Sequence, residues 1–137
     1  MEDKTNATMQ LSLTPAALEE LWKWLWRLYE SYERDLHYAY DNDDRYRCKI
    51  AAGAAGNNLS LLHDPFAPNK GACSVDCEHI RAGLSPAQTA AVLTKIDRQI
   101  ANAELKAAGT RVPEDGSTES RALQSLRASI LKAATDS

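Results

Sequence analysis

Four side chains able to hold zinc fall within seventeen residues of this sequence: His63, Cys73, Cys77 and His79. Imidazole nitrogens and thiolate sulfurs are the usual ligands of tetrahedral structural zinc. A helical start at Cys73 sets Cys77 on the same side one turn later. His63 would have to return across the proline-containing loop, and His79, two residues past Cys77, points away on a helix. No Cys-x-x-Cys occurs, so the spacing departs from the paired-knuckle pattern. The plain reading is a pair of thiols and two surface histidines. No cofactor is therefore expected, and a zinc-stabilised helical domain stands as an alternative.

Other chemistry finds less support. Cys48 sits beside Arg45, Arg47 and Lys49, cations that favour a thiolate, yet a lone cysteine in a helix usually serves as a small core residue. Glu33 and His37 are an i,i+4 pair of the kind that supports a solvated helix face. The chain has no Glu-x-x-His of the sort that di-iron bundles use. The small run Gly53-Ala54-Ala55-Gly56 lacks the Lys-Ser/Thr ending of a phosphate loop. No nucleophile stands beside a positioned base, so no catalytic residue is assigned and a non-enzymatic role is expected.

The elements that must position these groups read as helices throughout. Thr14 is a good N-cap with Pro15 at the first helical position. Beyond it Leu18, Leu21, Trp22, Leu25, Leu28, Tyr29, Tyr32, Leu36 and Ala39 step by threes and fours into one apolar stripe. Residues 18–40 hold all three tryptophans and four of the five tyrosines. The acidic cluster at 41–44 is expected to end this helix or bend the chain. A second helix is predicted over about 45–62, with a thin Ala/Gly middle for the large rings of the first helix to pack against. A long irregular segment follows over 63–83, with a short helix over 75–82 that Gly83 stops. Ser85-Pro86-Ala87-Gln88 matches a capping box and opens a third helix with Val92, Ile96, Ile100, Ala103 and Ala107 inward. A fourth begins near Ser117 and buries Leu123, Leu126, Ile130 and Ala134. The expected fold is all-α: a bundle of about four helices with one short extra helix in a long loop. Residues 1–13 are expected to be a flexible segment and 14–137 a single domain.

Composition narrows the function. The chain has 137 residues, ordinary apolar and charged fractions of 44% and 26%, and a net charge of −3. Residues 1–45 carry ten acids against five bases, and residues 46–137 carry nine against eleven. A weakly acidic chain is a poor general binder of phosphate backbones, which need clustered cations. Arg45, Arg47 and Lys49 flank Tyr46 in a pattern that grips single strands, but the preceding acids oppose it. A small helical subunit of a nucleic-acid complex is a second alternative. No apolar run spans a membrane and no charged segment leads into a long apolar one, so a cytoplasmic setting without membrane binding is expected. Three cysteines, an odd number, do not suggest a secreted disulfide framework.

What remains is the aromatic surplus. Trp24 and Tyr38 fall away from the centre of the first stripe, and Trp26 lies on its edge. Trp, Tyr and Arg dominate interface energetics. The expectation is a protein that binds a protein target of unknown identity through this helix and the 63–83 loop. Its partner-binding residues would be Trp24, Trp26, Tyr38, Arg45 and Arg47. Such a chain suits a small inhibitor, adaptor or accessory subunit of the sort that phages and mobile elements encode, with self-association into an oligomer as a further option.

Overall fold

In the computed structural model, residues 11–63, 81–109 and 113–136 are described. Local chemistry sets each helix start. Thr14 caps α1 (Pro15–Tyr38), its Oγ1 accepting from the Ala17 N–H at 3.1 Å. The chain leaves α1 through an extended Ala39. Asp41 then caps α2 (Asn42–His63): its carboxylate accepts from the Asp44 N–H at 2.7 Å and its carbonyl from the Arg45 N–H at 3.1 Å. Helix α2 thus begins three residues before the predicted Arg45. The acidic cluster that suggested a break is instead its first turn, where carboxylates meet unpaired N–H groups and the positive end of the helix dipole.

The capping box forms as read. Ser85 N–H donates to the Gln88 side chain at 2.9 Å and Gln88 N–H donates to Ser85 Oγ at 3.2 Å, opening α3 (Pro86–Gly109). Helix α4 (Pro113–Asp136) starts at Pro113, four residues before the predicted Ser117. Gly116, which the predicted start at Ser117 leaves outside the helix, therefore lies inside α4. A Cβ on it would strike the Ala103 carbonyl oxygen and come within 2.7 Å of the Ala107 nitrogen, so the residue allows α3 and α4 to approach backbone to backbone.

The fold is all-α, as expected, with four helices among the described residues. Of the short helix predicted over 75–82, only Arg81 and Ala82 are described; both are helical. The helices form two αα-hairpins, α1 with α2 and α3 with α4, joined mainly where α2 packs on α4. At the base, Leu13 and Leu84 exchange backbone hydrogen bonds of 2.9 Å in an antiparallel bridge. Both side chains are buried in the core. Leu13, which the sequence places at the end of the N-terminal segment, is thus packed with the helices.

The core is uneven along the hairpin. On α1 the buried residues are Leu18, Leu21, Trp22 and Leu25, all in its first half. On α2 burial begins only at Ala52 and continues through Leu59, Leu61 and Leu62. The outer halves of both helices, with the turn between them, carry half-buried and exposed side chains only. On the other hairpin, Val92, Ile96, Ala103, Leu123, Leu126, Ile130 and Ala134 are buried as their spacing predicts.

The thin segment of α2 plays two different roles. Tyr29 lies 3.5 Å from where a Gly56 Cβ would sit, which is the large-against-small packing foreseen. Gly53, one turn away, faces open space with nothing within 4 Å. Within the fold no packing contact offsets the helix cost of this glycine. Gly53→Ala is expected to raise unfolding free energy by about 1 kcal/mol, read as a higher urea midpoint with an unchanged slope. A lowered midpoint would contradict this account of Gly53.

Candidate functional site

The end of the α1–α2 hairpin gathers the most exposed aromatic surface among the described residues. Tyr38 is 74% exposed, Tyr40 wholly exposed and Tyr46 45% exposed. Tyr38 ends α1 and touches the His37 ring edge-on at 4.9 Å. Tyr40 stands in the turn, and Tyr46 lies in the second turn of α2. Arg45 and Arg47 flank Tyr46 and are exposed as well. Two residues on a helix turn through about 200°, so the two guanidinium groups leave the helix on different sides. Large amphipathic rings set beside cations are the composition of interface anchors.

The structure separates the five proposed partner-binding residues. Tyr38, Arg45 and Arg47 come together at this hairpin end. Trp24 and Trp26 do not join them; both are half-buried and pack against the core. Trp26 stacks on the buried Trp22, with centroids 5.2 Å apart and planes 10° from parallel, and meets Tyr29 at 5.6 Å. These three rings form a ladder along α1. At its upper end, a hydrogen bond to Glu33, the charge of that carboxylate and some burial together hold the Tyr29 phenol above its ordinary pKa. Trp24 instead lines a cleft of about 290 Å³ between α1 and α4, with Leu28 and Tyr32 beside it and the alanines of α2 as its floor. Tyr40 was not among the predicted partner-binding residues, and Tyr46 entered the sequence pattern only as the ring between the cations of the nucleic-acid alternative. The available signal for Tyr40 was a tyrosine in a polar turn between two helices.

A second cleft, of about 480 Å³, opens between α2 and α3, whose backbones hardly meet. Asn57 Nδ2 donates to Gln99 Oε1 at 2.8 Å and ties the two walls at one end. Toward the other end stand Lys49 and the Lys106–Glu119 ion pair, 2.9 Å between α3 and α4. Asn58, also in the lining, is 2% exposed and clasps α4 by donating to the Ala122 carbonyl at 3.1 Å. Its Oδ1 has no partner among the described residues.

Of the proposed metal ligands, Cys73, Cys77, His79 and the side chain of His63 lie outside what is described. Among the described residues no group of three or more His, Cys, Asp or Glu side chains is placed to hold a metal ion. Cys48 is a half-buried free thiol. No helix among the described residues is long and apolar enough to cross a membrane. Comparison with protein-family models, with curated proteins and with solved structures finds no match to this chain.

Proposed function

We propose that this chain is a non-enzymatic interaction protein, a small inhibitor, adaptor or accessory subunit, whose partner is another protein. The observation that carries the reading is the cluster of Tyr38, Tyr40 and Tyr46 at a hairpin end that has no buried core of its own. Exposed tyrosine rings beside Arg45 and Arg47 supply large contact area, and with only two side-chain torsions each they do so at small entropic cost. The proposed surface therefore moves outward from the aromatic helix as a whole to its last turn and the first turns of α2. Trp26 serves the core, and Trp24 contributes only through the cleft that it lines. The 63–83 segment stays part of the proposal through its sequence, since residues 64–80 lie outside the described structure.

The test is affinity capture from a host lysate with the full chain and with a Tyr38→Ala/Tyr40→Ala/Tyr46→Ala variant. The exposed rings contribute little to folding, so thermal stability is expected to stay within about 0.5 kcal/mol for each. Loss of one interface anchor costs about 2 kcal/mol or more, roughly thirtyfold in affinity, so the triple variant is expected to lose its partner. Recovery of the same proteins at equal yield would sink the proposal. Capture of nucleic acid that is released by salt would favour the nucleic-acid alternative through Arg45, Arg47 and Lys49.

A further inference from the structure

We propose that the cleft between α2 and α3 is a ligand site for a small planar heterocycle with an amide-like edge and a single negative charge. The cleft is independent of the tyrosine surface, and its volume of about 480 Å³ suits a small molecule. Three features of its lining define the ligand.

The first is the amide end. The Asn57–Gln99 bond uses one donor and one acceptor. Each primary amide has further capacity, which leaves the Asn57 carbonyl oxygen and the Gln99 amide nitrogen as an acceptor and a donor at the same place. A paired donor and acceptor match the edge of a nucleobase-like ring, which presents the complementary pair. Asn102, one turn beyond Gln99 on α3, adds another amide to the same wall.

The second is the floor. Ala54, Ala103 and Leu123 are buried beneath the cleft. The two alanines leave room beside Leu123 for a flat ring to lie on an apolar floor. Gly53 leaves the wall above it unfilled, with no atom within 4 Å of where its Cβ would be.

The third is charge. The lining holds two cations, Lys49 and Lys106, and one anion, Glu119, a balance of +1. Lys106 is already bonded to Glu119, so Lys49 is the cation that would meet a ligand anion. Eight residues of helix, about 12 Å, separate Lys49 from Asn57, and the flexible lysine stem covers much of that distance. A ring of one nucleobase with a directly attached carboxylate fits between them.

The experiment is a titration of the full, isotopically labelled chain followed by amide NMR. The probes are orotate, which has both the edge and the charge; uracil, which has the edge alone; and benzoate, which has the charge alone. Orotate is expected to shift the Gly53 backbone signal and the Asn57 and Gln99 side-chain signals in a saturable way. Uracil and benzoate are expected to bind at least tenfold more weakly. Gly53→Leu fills open space and is expected to abolish binding with helicity intact. Lys49→Gln, an exposed change, is expected to bring orotate down to the affinity of uracil. The proposal is overturned if orotate gives no saturable shift, if the shifts map elsewhere, if either control probe binds as well, or if both variants retain full affinity. The tyrosine variant is expected to bind orotate normally, so this test and that of the protein surface fail separately.

Discussion

Gly83→Ala is expected to remove about 3–4 kcal/mol of unfolding free energy. Gly83 is the one glycine with a positive φ among the described residues, at 73°. Holding an L-residue there costs about 1–2 kcal/mol because Cβ crowds the backbone. The new Cβ would also lie 2.6 Å from the Leu13 carbonyl oxygen and 2.9 Å from the Pro15 nitrogen. These are backbone atoms at the start of α1 and cannot swing aside as a side chain would. Relieving such overpacking by backbone shifts costs a further ~1–3 kcal/mol. The movement would also pull on the Leu13–Leu84 bridge, which ties the residues just before α1 to those just before α3. Against a typical total of about 5–15 kcal/mol, the loss should be plain in a urea melt. Gly53→Ala, the same chemical change in open space, should shift the midpoint the other way. A Gly83→Ala loss below about 1 kcal/mol would mean that the entry to α3 does not need this turn.

Trp22→Ala is expected to cost about 3–5 kcal/mol, the range for truncating a large core aromatic. Trp22 is 5% exposed and supports Trp26 by stacking, so its removal leaves a cavity and an unsupported ring. The indole Nε1 has no hydrogen-bond partner among the described residues. A buried donor without a partner costs about 1–3 kcal/mol. Trp22→Phe keeps a stacking ring and removes that donor, so its net loss is expected to stay below about 1.5 kcal/mol. Equal losses for Ala and Phe would show that the indole is bonded and that the stack is of minor weight. Tryptophan fluorescence during thermal unfolding, together with urea melts, separates the two outcomes. The tyrosine variant makes the opposite contrast, since it should lose a partner and keep its stability.

Helix starts were legible wherever the capping chemistry lies next to the helix it opens. Thr14-Pro15 and Ser85-Pro86-Ala87-Gln88 form the bonds their spacing implies. Asp41 carries the same signal, but it stands at the head of a run of acids, and the run reads equally well as a break. Pro113 was similarly available as a first helical position, and Gly116 drew the start of α4 too far along. Gly116 is tolerated inside the helix because α3 needs the space, a reason that resides in another element.

The candidate surfaces were harder to read. Trp24, Trp26 and Tyr38 all stand on one helix off the centre of its apolar stripe, yet only Tyr38 is strongly exposed. Periodicity reports the angle around a helix and says nothing of how far along it the neighbours extend. The burial on α1 ends after its first half, and Tyr38 lies at the far end. The amide cleft was out of reach for a related reason. Asn57 and Gln99 are forty-two residues apart and meet only because α2 and α3 are held against α4.

By itself the sequence determined the helical class, the capping of α1 and α3 and the inward faces of the helices, because hydrogen bonding within a turn and the 3.6-residue period act over a few neighbours. Tertiary structure alone decided which rings face solvent, which glycine is crowded and which is free, and where amides and lysines share a cleft. Those properties depend on distances between helices, which no local pattern encodes.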